Sequence, residues 1–202
     1  ARLTARLQHP NIVPIYDVGI HDGQPWFTMK YIKGQSLEEV IEEAKAGKSE
    51  ILNNLNDRLD VFIKICEAIS YAHSLGVLHL DLKPDNIRIS DFGDVVVCDW
   101  GLADVVSSRC DEYLLEYCTM VEYDLDMMTI DGVVKGTIGY MAPEQTTKTD
   151  IRKGPHTDIF SLGALLYTLL CNEKAFDGKH FEEVLEKTAR CEFPKPSCIN
   201  PE

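Results

Sequence analysis

Three polar residues in the stretch HLDLKPDN, Asp81, Lys83 and Asn86, have the types and spacing that chemistry on phosphate groups requires. Phosphoryl transfer needs a carboxylate that holds the acceptor hydroxyl in line, a cation near the moving group, and oxygen ligands for Mg²⁺. Asp81 could receive the hydroxyl proton, Lys83 could neutralise charge on the γ-phosphate, and Asn86 could bind the metal. A surface turn would explain an Asp/Lys pair alone, so the interpretation depends on a second metal ligand.

The chain offers two aspartates for this second ligand, Asp91 in Asp-Phe-Gly and Asp99 in Asp-Trp-Gly. Between Asn86 and Asp99, two β-prone runs, IRI and VVVC, flank the turn-forming stretch SDFGD, a pattern that predicts a hairpin. The open end of an antiparallel pair brings its two strands to about 5 Å, so we expect Asn86 and Asp99 to meet there. Asp91 would lie at the opposite tip, about 13 Å away at about 3.3 Å per residue. The sequence therefore predicts that Asp99 binds the metal and that Asp91 belongs to a plain turn.

The sequence around these residues predicts the elements that position them. Residues 11–32 read as two strands joined by the turn-forming residues 21–24. Ser36 and Glu39 form a capping box that starts a helix, which ends at Gly47. Residues 57–75 predict an amphipathic helix that ends at Gly76. Its core-facing positions are predicted to be Leu59, Phe62, Cys66, Ile69 and His73.

The C-terminal part of the chain is predicted to be mainly helical. Residues 158–171 are apolar nearly all round, which predicts a central buried helix. Residues 180–193 predict a later surface helix, and Pro194 and Pro196 are expected to break the structure that follows. The sequence therefore predicts an α+β fold, a mainly helical domain with a few strands near its N-terminal edge.

Composition and charge argue against several classes of protein. Hydrophobic residues make up 45% of the chain and charged residues 26%, which is typical of soluble globular proteins rather than disordered ones. No apolar run approaches the roughly 20 residues of a membrane span, and no secretory signal is visible. The net charge of −13, without a Lys/Arg cluster, argues against a nucleic-acid partner. The seven cysteines are never spaced C-x-x-C, which favours reduced thiols in a cytoplasmic setting over a zinc site.

Taken together, these motifs resemble those of the eukaryotic-like (Hanks-type) serine/threonine protein kinases. The stretch HLDLKPDN, residues 79–86, resembles the catalytic loop of that family, and the 18 positions from Asp81 to Asp99 match its separation from the metal-binding aspartate. GTIGYMAPEQ, residues 136–145, resembles the end of the activation segment, and Asp158 resembles the buried aspartate that tethers the catalytic loop. LQHPNIVPIYDVG and FTMKYIKG resemble the segments that lead into the hinge. YMAPEQ and DWGLA are typical of bacterial members.

The resemblance implies a role for each matched residue, with ATP and Mg²⁺ (or Mn²⁺) as cofactors and protein Ser/Thr hydroxyls as acceptors. Asp81, Lys83 and Asn86 would be catalytic, and Asn86 with Asp99 would bind the metal. The nucleotide-binding residues would be Met29 as gatekeeper, Lys30 and Ile32 through their backbones, Arg88 and Asp99. Thr137 and Glu144 would belong to the substrate loop. The structural residues would be His79, Trp100 and Asp158, with Thr4 and Ile15 completing a regulatory stack.

The resemblance also implies a domain organisation. Residues 1–32 would be a remnant of the kinase N-lobe and hinge, and residues 33–202 would form the C-lobe, with the activation segment at residues 99–144. No stretch of the chain resembles the Gly-rich phosphate loop or the strand that carries the ATP-binding lysine, so we expect this chain alone to be inactive. The arginine that pairs with Glu144 in the family would lie beyond Glu202, which predicts an unpartnered carboxylate.

Three departures from the family pattern leave alternatives open. Leu80 replaces the arginine beside the catalytic aspartate, which predicts activity without loop phosphorylation in the parent protein. Arg88 stands where the family has an apolar residue under adenine, so a pseudokinase that senses nucleotide or acts as a scaffold is the alternative to an active kinase. Residues 104–135 contain eight Asp/Glu, two Lys/Arg and many apolar side chains, which could pack onto the lobe itself or against a second chain.

Overall fold

The computed structural model describes residues 7–22, 24–105, 138–146 and 151–200. The described part begins with an antiparallel pair, β1 (Ile15–His21) and β2 (Gln24–Met29). Both strands were predicted, but β1 starts later than expected because Pro14 interrupts the run. The residues before it instead lie along another strand: Val13 donates to the carbonyl oxygen of Val97 at 3.0 Å, and Val97 donates to that of Asn11 at 2.8 Å.

The central sheet has three antiparallel strands in the order β3 (Gly34–Ser36), β5 (Ile87–Ser90) and β6 (Val95–Val97). A second short pair joins β4 (Val77–Leu78) to β7 (Asp104–Val105). Gly34 is required where β3 meets β5, because its φ is +132° and a Cβ there would lie 2.0 Å from the carbonyl oxygen of Ile89. This close approach fixes the end of the hinge-like segment against the sheet.

Two helices follow the central sheet's first strand. Helix α1 (Leu37–Lys45) begins with the predicted capping box, in which Ser36 and Glu39 bond each other's backbone N–H groups. Helix α2 (Leu55–Ser74) is capped at Asn54 and ends two residues before Gly76, whose φ is +76°. The predicted core face of α2 was partly wrong. The buried residues are Val61, Ile65, Ala68, Ile69 and Ala72, and the predicted Leu59, Phe62, Cys66 and His73 are only half-buried.

The C-terminal half contains four helices among its described residues. A short helix, α3 (Pro143–Thr146), precedes the long helix α4 (Pro155–Cys171), which is buried along most of its length as predicted. The surface helix α5 (Phe181–Arg190) was also predicted. Pro196 does not break the structure after it. It begins the short helix α6 (Pro196–Ile199), because proline has no N–H to lose and a suitable φ at a first helical position.

The apolar core lies between the central sheet and helices α1, α2 and α4. Its fully buried members include Leu37 from α1, Ile65 from α2, Ile87 from β5 and Leu165 from α4. A smaller cluster under α4 and α5 contains Ile138, Tyr167, Cys171, Ala175, Phe176 and Val184. The catalytic-loop residues therefore emerge at the edge of a packed core, which gives their side chains a rigid base.

No helix in the described ranges is both long enough and apolar enough to cross a membrane. The cysteines that the structure describes, Cys66, Cys98, Cys171, Cys191 and Cys198, are free thiols. The predicted hairpin, helices and capping box are thus present, and the candidate site can be built on them.

Candidate active site

The β5–β6 hairpin brings Asn86 and Asp99 to the same end of the sheet. Ile87 pairs with Val97, so Asn86 and Asp99 immediately flank the open end of the ladder. The N–H of Cys98 donates to the carbonyl oxygen of Asn86 at 2.8 Å, which extends the pairing by one more step. The hairpin that the sequence predicted is confirmed. Cys98 is the register partner of Asn86, and Asp99 follows one residue later at the same end of the ladder.

The tripeptide Asp91-Phe92-Gly93 forms the opposite tip of this hairpin. Phe92 is 94% exposed, and Gly93 has a φ of +80°, as tight turns require. The carboxylate of Asp91 contacts the ammonium group of Lys33 at 3.2 Å on the surface. The prediction that Asp91 belongs to a plain turn, away from the other polar residues of the site, is therefore confirmed by the hairpin register.

The catalytic-loop side chains contact one another directly. The amide nitrogen Nδ2 of Asn86 donates to the Oδ2 atom of Asp81 at 2.9 Å and to its backbone oxygen at 2.8 Å. The ammonium group of Lys83 lies 2.9 Å from the same Oδ2 atom. The side chains of Asp81 and Lys83 are only 11% and 15% exposed, so water screens this ion pair weakly. The three residues predicted from their spacing thus form one hydrogen-bonded cluster.

Asp158 anchors the residues that precede this cluster. It lies on α4 at 0% exposure, and its carboxylate accepts the backbone N–H of His79 at 2.9 Å and that of Leu80 at 2.8 Å. The Nε2 atom of His73, from α2, lies 2.7 Å from the same carboxylate. Burial alone would raise the pKa of Asp158, but these hydrogen bonds outweigh it and hold the pKa below its ordinary value. The carboxylate therefore stays ionised in the core.

His79 is fully buried beside Trp100, and their ring centroids lie 4.5 Å apart. Burial lowers the pKa of His79 despite the neighbouring carboxylates, so its imidazole is neutral at neutral pH. Its Nε2 atom lies 3.1 Å from the carbonyl oxygen of Cys98, and its Nδ1 atom accepts the N–H of Asp81 at 3.2 Å. A neutral ring with Nε2 protonated satisfies both contacts, and it links the catalytic loop to the residue before Asp99.

Two non-glycine residues at the site have left-handed backbones. Leu80 has a φ of +65° and Asp99 a φ of +54°. Such conformations cost about 1–3 kcal/mol each and persist where the surroundings fix them. The buried side chain of Leu80 and its bond to Asp158 provide this support, and Asp99 accepts the N–H of Gly101 at 3.3 Å.

The donor set of Asn86 and Asp99 fits a hard divalent cation. The side-chain amide nitrogen of Asn86 donates to Asp81, so the side-chain amide oxygen of Asn86 faces away from Asp81. Asp99 is exposed. Burial raises the pKa of the neighbouring Cys98 thiol to about 11. Within the described residues, no group of three or more His, Cys, Asp or Glu could hold a metal. One carboxylate and one amide oxygen suit Mg²⁺, which keeps waters and shares phosphate ligands.

Three of the predicted nucleotide-binding residues, Met29, Lys30 and Ile32, lie at the end of β2 and in the segment after it, whereas Arg88 lies on β5 and Asp99 follows β6. Met29 is 49% exposed at the end of β2. The N–H of Lys30 donates to the carbonyl oxygen of Pro14 at 2.9 Å, so only the carbonyl of Lys30 is left to bond a base. The Ile32 side chain is half-buried against the core. The guanidinium group of Arg88 donates to the carbonyl oxygen of Gly34 and lies 3.9 Å from Glu39.

Glu144 has partners that the sequence did not predict. Its Oε1 atom accepts the hydroxyl of Thr157 at 2.7 Å and lies 3.4 Å from Nε2 of His156, and its side chain is 8% exposed. The expectation of an unpartnered carboxylate was therefore wrong, because residues at the start of α4 supply the contacts. Thr137, Thr4 and most of the acidic segment 104–135 lie outside the described residues.

Sequence reasoning also missed Gln145 and His73. The side chain of Gln145 donates to the carbonyl oxygen of Leu80 at 2.7 Å, and His73 contacts Asp158. Gln145 carried a usable signal, since it is the third residue of a helix that begins with proline, a position where glutamine commonly bonds the N-cap backbone. For His73 the helical pattern suggested only a core position.

A shallow groove of about 600 Å³ lies on the outer side of α2, where the rings of His9 and Tyr71 stack at 5.2 Å. Neither the catalytic loop nor Asp99 lines it. The groove is therefore separate from the candidate active site.

The profile of the protein kinase domain family matches residues 1–199. The chain belongs to this family. The predicted family and the α+β protein kinase-like fold are therefore confirmed, and such kinases generally use ATP with a divalent metal.

The relatives of the chain include bacterial serine/threonine kinases, as its motifs predicted. It is 36% identical over 208 aligned positions to the serine/threonine-protein kinase PknD of Protochlamydia amoebophila, covering 100% of the chain and 21% of that protein. It is 37% identical over 182 positions to PknD of Chlamydia trachomatis serovar L2b, covering 84% and 19%. PknD of Chlamydia pneumoniae is 35% identical over 208 positions, covering 100% and 22%. The chain spans about a fifth of the length of these relatives.

Proposed function

We propose that this chain is the catalytic part of an ATP-dependent serine/threonine protein kinase, which transfers the γ-phosphoryl group of ATP to protein Ser/Thr hydroxyls. The observation that carries the proposal is the cluster of Asp81, Lys83 and Asn86, joined by contacts of 2.9 Å and adjacent to Asp99 across the hairpin. Carboxylate, cation and oxygen ligands are the groups that this reaction requires.

Each residue of the cluster has a distinct role in this proposal. Asp81 orients the acceptor hydroxyl and receives its proton through the carboxylate oxygen that does not contact Lys83. Lys83 places its positive charge beside the transferring group, and Asn86 holds Asp81 in position. Asn86 and Asp99 hold a divalent cation, which when bound neutralises charge on the phosphates. The carbonyl of Lys30 and the N–H of Ile32 bind adenine, with Met29 beside them.

On the substrate side, Thr137 and Glu144 belong to the segment that docks the acceptor peptide. Glu144 accepts a hydrogen bond from Thr157 at the start of α4, and this contact supports a rigid conformation of the residues around Glu144. The residues that could mediate self-association lie mainly in the segment 104–135, outside the described residues. The free thiols of the described residues are consistent with a cytoplasmic domain, and the length of the relatives supports a longer parent protein that could carry an anchor elsewhere.

Two aspartates in near-identical tripeptides provide a matched test. In the full-length protein, Asp99→Asn should abolish Mg²⁺-dependent ATP turnover and peptide phosphorylation, whereas Asp91→Asn should leave both unchanged. Asp81→Asn should lower kcat by about 10²–10⁴-fold, the range expected for loss of a general base. Equal losses from Asp91→Asn and Asp99→Asn would contradict the assignment of the metal site, and a fully active Asp81→Asn variant would refute the proposed mechanism.

A pseudokinase that senses nucleotide or acts as a scaffold is the second candidate. It is favoured by Arg88, whose guanidinium group bonds Gly34 at the end of the hinge segment and occupies a place where the family has an apolar residue. A full-length protein that binds Mg·ATP but shows no turnover, with unchanged binding after Asp81→Asn, would establish this alternative. An Arg88→Leu variant that gains turnover would identify Arg88 as the cause.

Two further expectations accompany the kinase proposal. This 202-residue chain alone should be inactive, because no part of it resembles a Gly-rich phosphate loop; peptide phosphorylation by the purified chain would disprove this. The parent should not require loop phosphorylation, because Leu80 cannot bind a phosphate as an arginine would. A large loss of activity after phosphatase treatment would count against that expectation.

A further inference from the structure

The side chain of Gln145 joins two segments that the proposed reaction needs together. Its oxygen Oε1 accepts the N–H of Ala142 at 3.0 Å, and its nitrogen Nε2 donates to the carbonyl oxygen of Leu80 at 2.7 Å. Ala142 lies in the stretch expected to dock the acceptor peptide, and Leu80 immediately precedes Asp81. One half-buried side chain therefore connects Leu80 and Ala142, which are 62 positions apart in sequence.

The Leu80 carbonyl belongs to the peptide group that leads into Asp81. The other polar atom of that group, the N–H of Asp81, donates to Nδ1 of His79 at 3.2 Å. Leu80 has a left-handed backbone and is 4% exposed, a combination that persists only where contacts on both sides hold it. Asp158 holds its N–H at 2.8 Å, and Gln145 holds its carbonyl. The orientation of the peptide before Asp81 therefore depends on Gln145.

We propose that Gln145 is a positioning residue for phosphoryl transfer. Through the Leu80 carbonyl, it holds the backbone of Asp81 in its working orientation and ties that orientation to the peptide-docking stretch at Ala142. The inference rests on the proposed function, and Gln145 itself contacts no reacting group. The hydrogen bond from the side-chain amide of Gln145 to the carbonyl oxygen of Leu80 is the contact that affects the reaction rate.

A purely structural role for Gln145 would depend on a different atom of the same side chain. Gln145 is the third residue of α3, and its oxygen bonds the N–H of Ala142, which is half of a capping box. The cap uses only the oxygen Oε1, whereas positioning uses the nitrogen Nε2. A substitution that replaces this single nitrogen by oxygen therefore separates the two roles.

The test compares Gln145→Glu with Gln145→Met in the full-length protein. Gln145→Glu keeps an oxygen for Ala142 but sets a carboxylate oxygen against the Leu80 carbonyl, and Gln145→Met removes both contacts. Positioning predicts that both variants lower kcat for peptide phosphorylation by about tenfold, equivalent to about 1.4 kcal/mol, with KM for ATP nearly unchanged. Gln8→Glu, at an exposed glutamine, controls for the added negative charge.

The outcomes distinguish the alternatives. Normal kcat in Gln145→Glu with reduced kcat in Gln145→Met would mean that Gln145 only caps the helix, and normal kcat in both would overturn the inference as well. Hydrogen exchange at the amides of Leu80 and Asp81 supplies a readout that does not depend on turnover. It should be faster in Gln145→Glu than in Gln8→Glu, and equal rates would refute positioning. If the unsubstituted protein shows no phosphotransfer, the proposed function fails and the exchange rates alone decide this inference.

Discussion

Replacing Asp158 with asparagine would remove the buried negative charge that holds the start of the catalytic loop. The Asp158 carboxylate accepts the N–H groups of His79 and Leu80 and contacts His73, all at 2.7–2.9 Å. Asparagine has nearly the same shape but only one acceptor oxygen, and its NH₂ group must face at least one of these donors. The substitution therefore changes hydrogen bonding and charge with little change in packing volume.

The cost follows from the contacts that are lost. A hydrogen bond to a charged group contributes about 1.5–3 kcal/mol, and breaking a buried charged network by removing one partner costs about 3–5 kcal/mol. Because Asp158 is 0% exposed, water cannot replace the lost acceptor, and we expect a loss of about 3 kcal/mol or more in the free energy of unfolding. For a domain of this size each kcal/mol lowers Tm by about 2–4 °C, so Tm should fall by about 6–12 °C.

Thermal unfolding followed by circular dichroism measures this effect directly. Asp60→Asn, on the exposed side of α2, is the matched control and should change the free energy of unfolding by no more than about 0.5 kcal/mol. The same Asp158→Asn variant should also expose the catalytic loop to faster hydrogen exchange at His79 and Leu80. If Asp158→Asn melts within about 1 °C of the unsubstituted chain, less than the shift for one kcal/mol, the reasoning is wrong.

Three further predictions concern the loop and its supports. First, burial lowers the pKa of His79 in the folded protein. The contribution of His79 to stability is therefore complete above its unfolded pKa of about 6.5 and is lost as pH falls through the folded value. Asp158, whose pKa is also lowered, reduces the free energy of unfolding only below about pH 4. Urea unfolding at pH 7.5, 6 and 5 should show the free energy of unfolding falling with pH, and a flat profile would contradict this. Second, Gly34→Ala should destabilise the chain by clearly more than Gly47→Ala. Nothing lies within 4 Å of a Cβ at Gly47, so Gly47→Ala should cost only the backbone strain, about 1–2 kcal/mol. A Cβ at Gly34 additionally meets a carbonyl oxygen. Chemical denaturation of the two variants decides this, with equal losses as the contrary result. Third, Arg58 donates to the carbonyl of Leu169 and, at 2.7 Å, to Asn172 at the end of α4, so Arg58→Met should cost about 1.5–3 kcal/mol in the same assay. Arg190→Met, which loses only an exposed pair with Glu186, should cost about 0.3–0.5 kcal/mol, and a similar cost for both would argue against the end-capping role.

Local sequence rules predicted the parts of the site that local chemistry determines. The β-prone runs on either side of SDFGD were enough to predict the hairpin, in which Asp99 rather than Asp91 lies at the same end as Asn86. The capping box at Ser36 and the helix end at Gly47 were likewise local features. These predictions succeeded because a turn, a cap or a register depends on residues within a few positions of one another.

Long-range contacts were beyond the same rules. The α2 face was assigned from apolar spacing, but this helix packs against both the central sheet and α4, so small residues such as Ala68 and Ala72 are buried while Phe62 and Cys66 stay half-buried. The partners of Glu144 come from the start of another helix, and no periodic pattern connects them. Tertiary packing, rather than propensity, determined these positions.

The backbone of residues 79–81 shows why this site depends on distant residues. The N–H groups of His79 and Leu80 both donate to Asp158, that of Asp81 donates to a ring nitrogen of His79, and the carbonyl of Leu80 accepts from Gln145. The neighbouring strand and helices supply none of these bonds through regular backbone pairing, so side chains replace it. Substitutions at Asp158 and Gln145 should therefore alter kcat through the orientation of Asp81, although neither residue would touch the substrate.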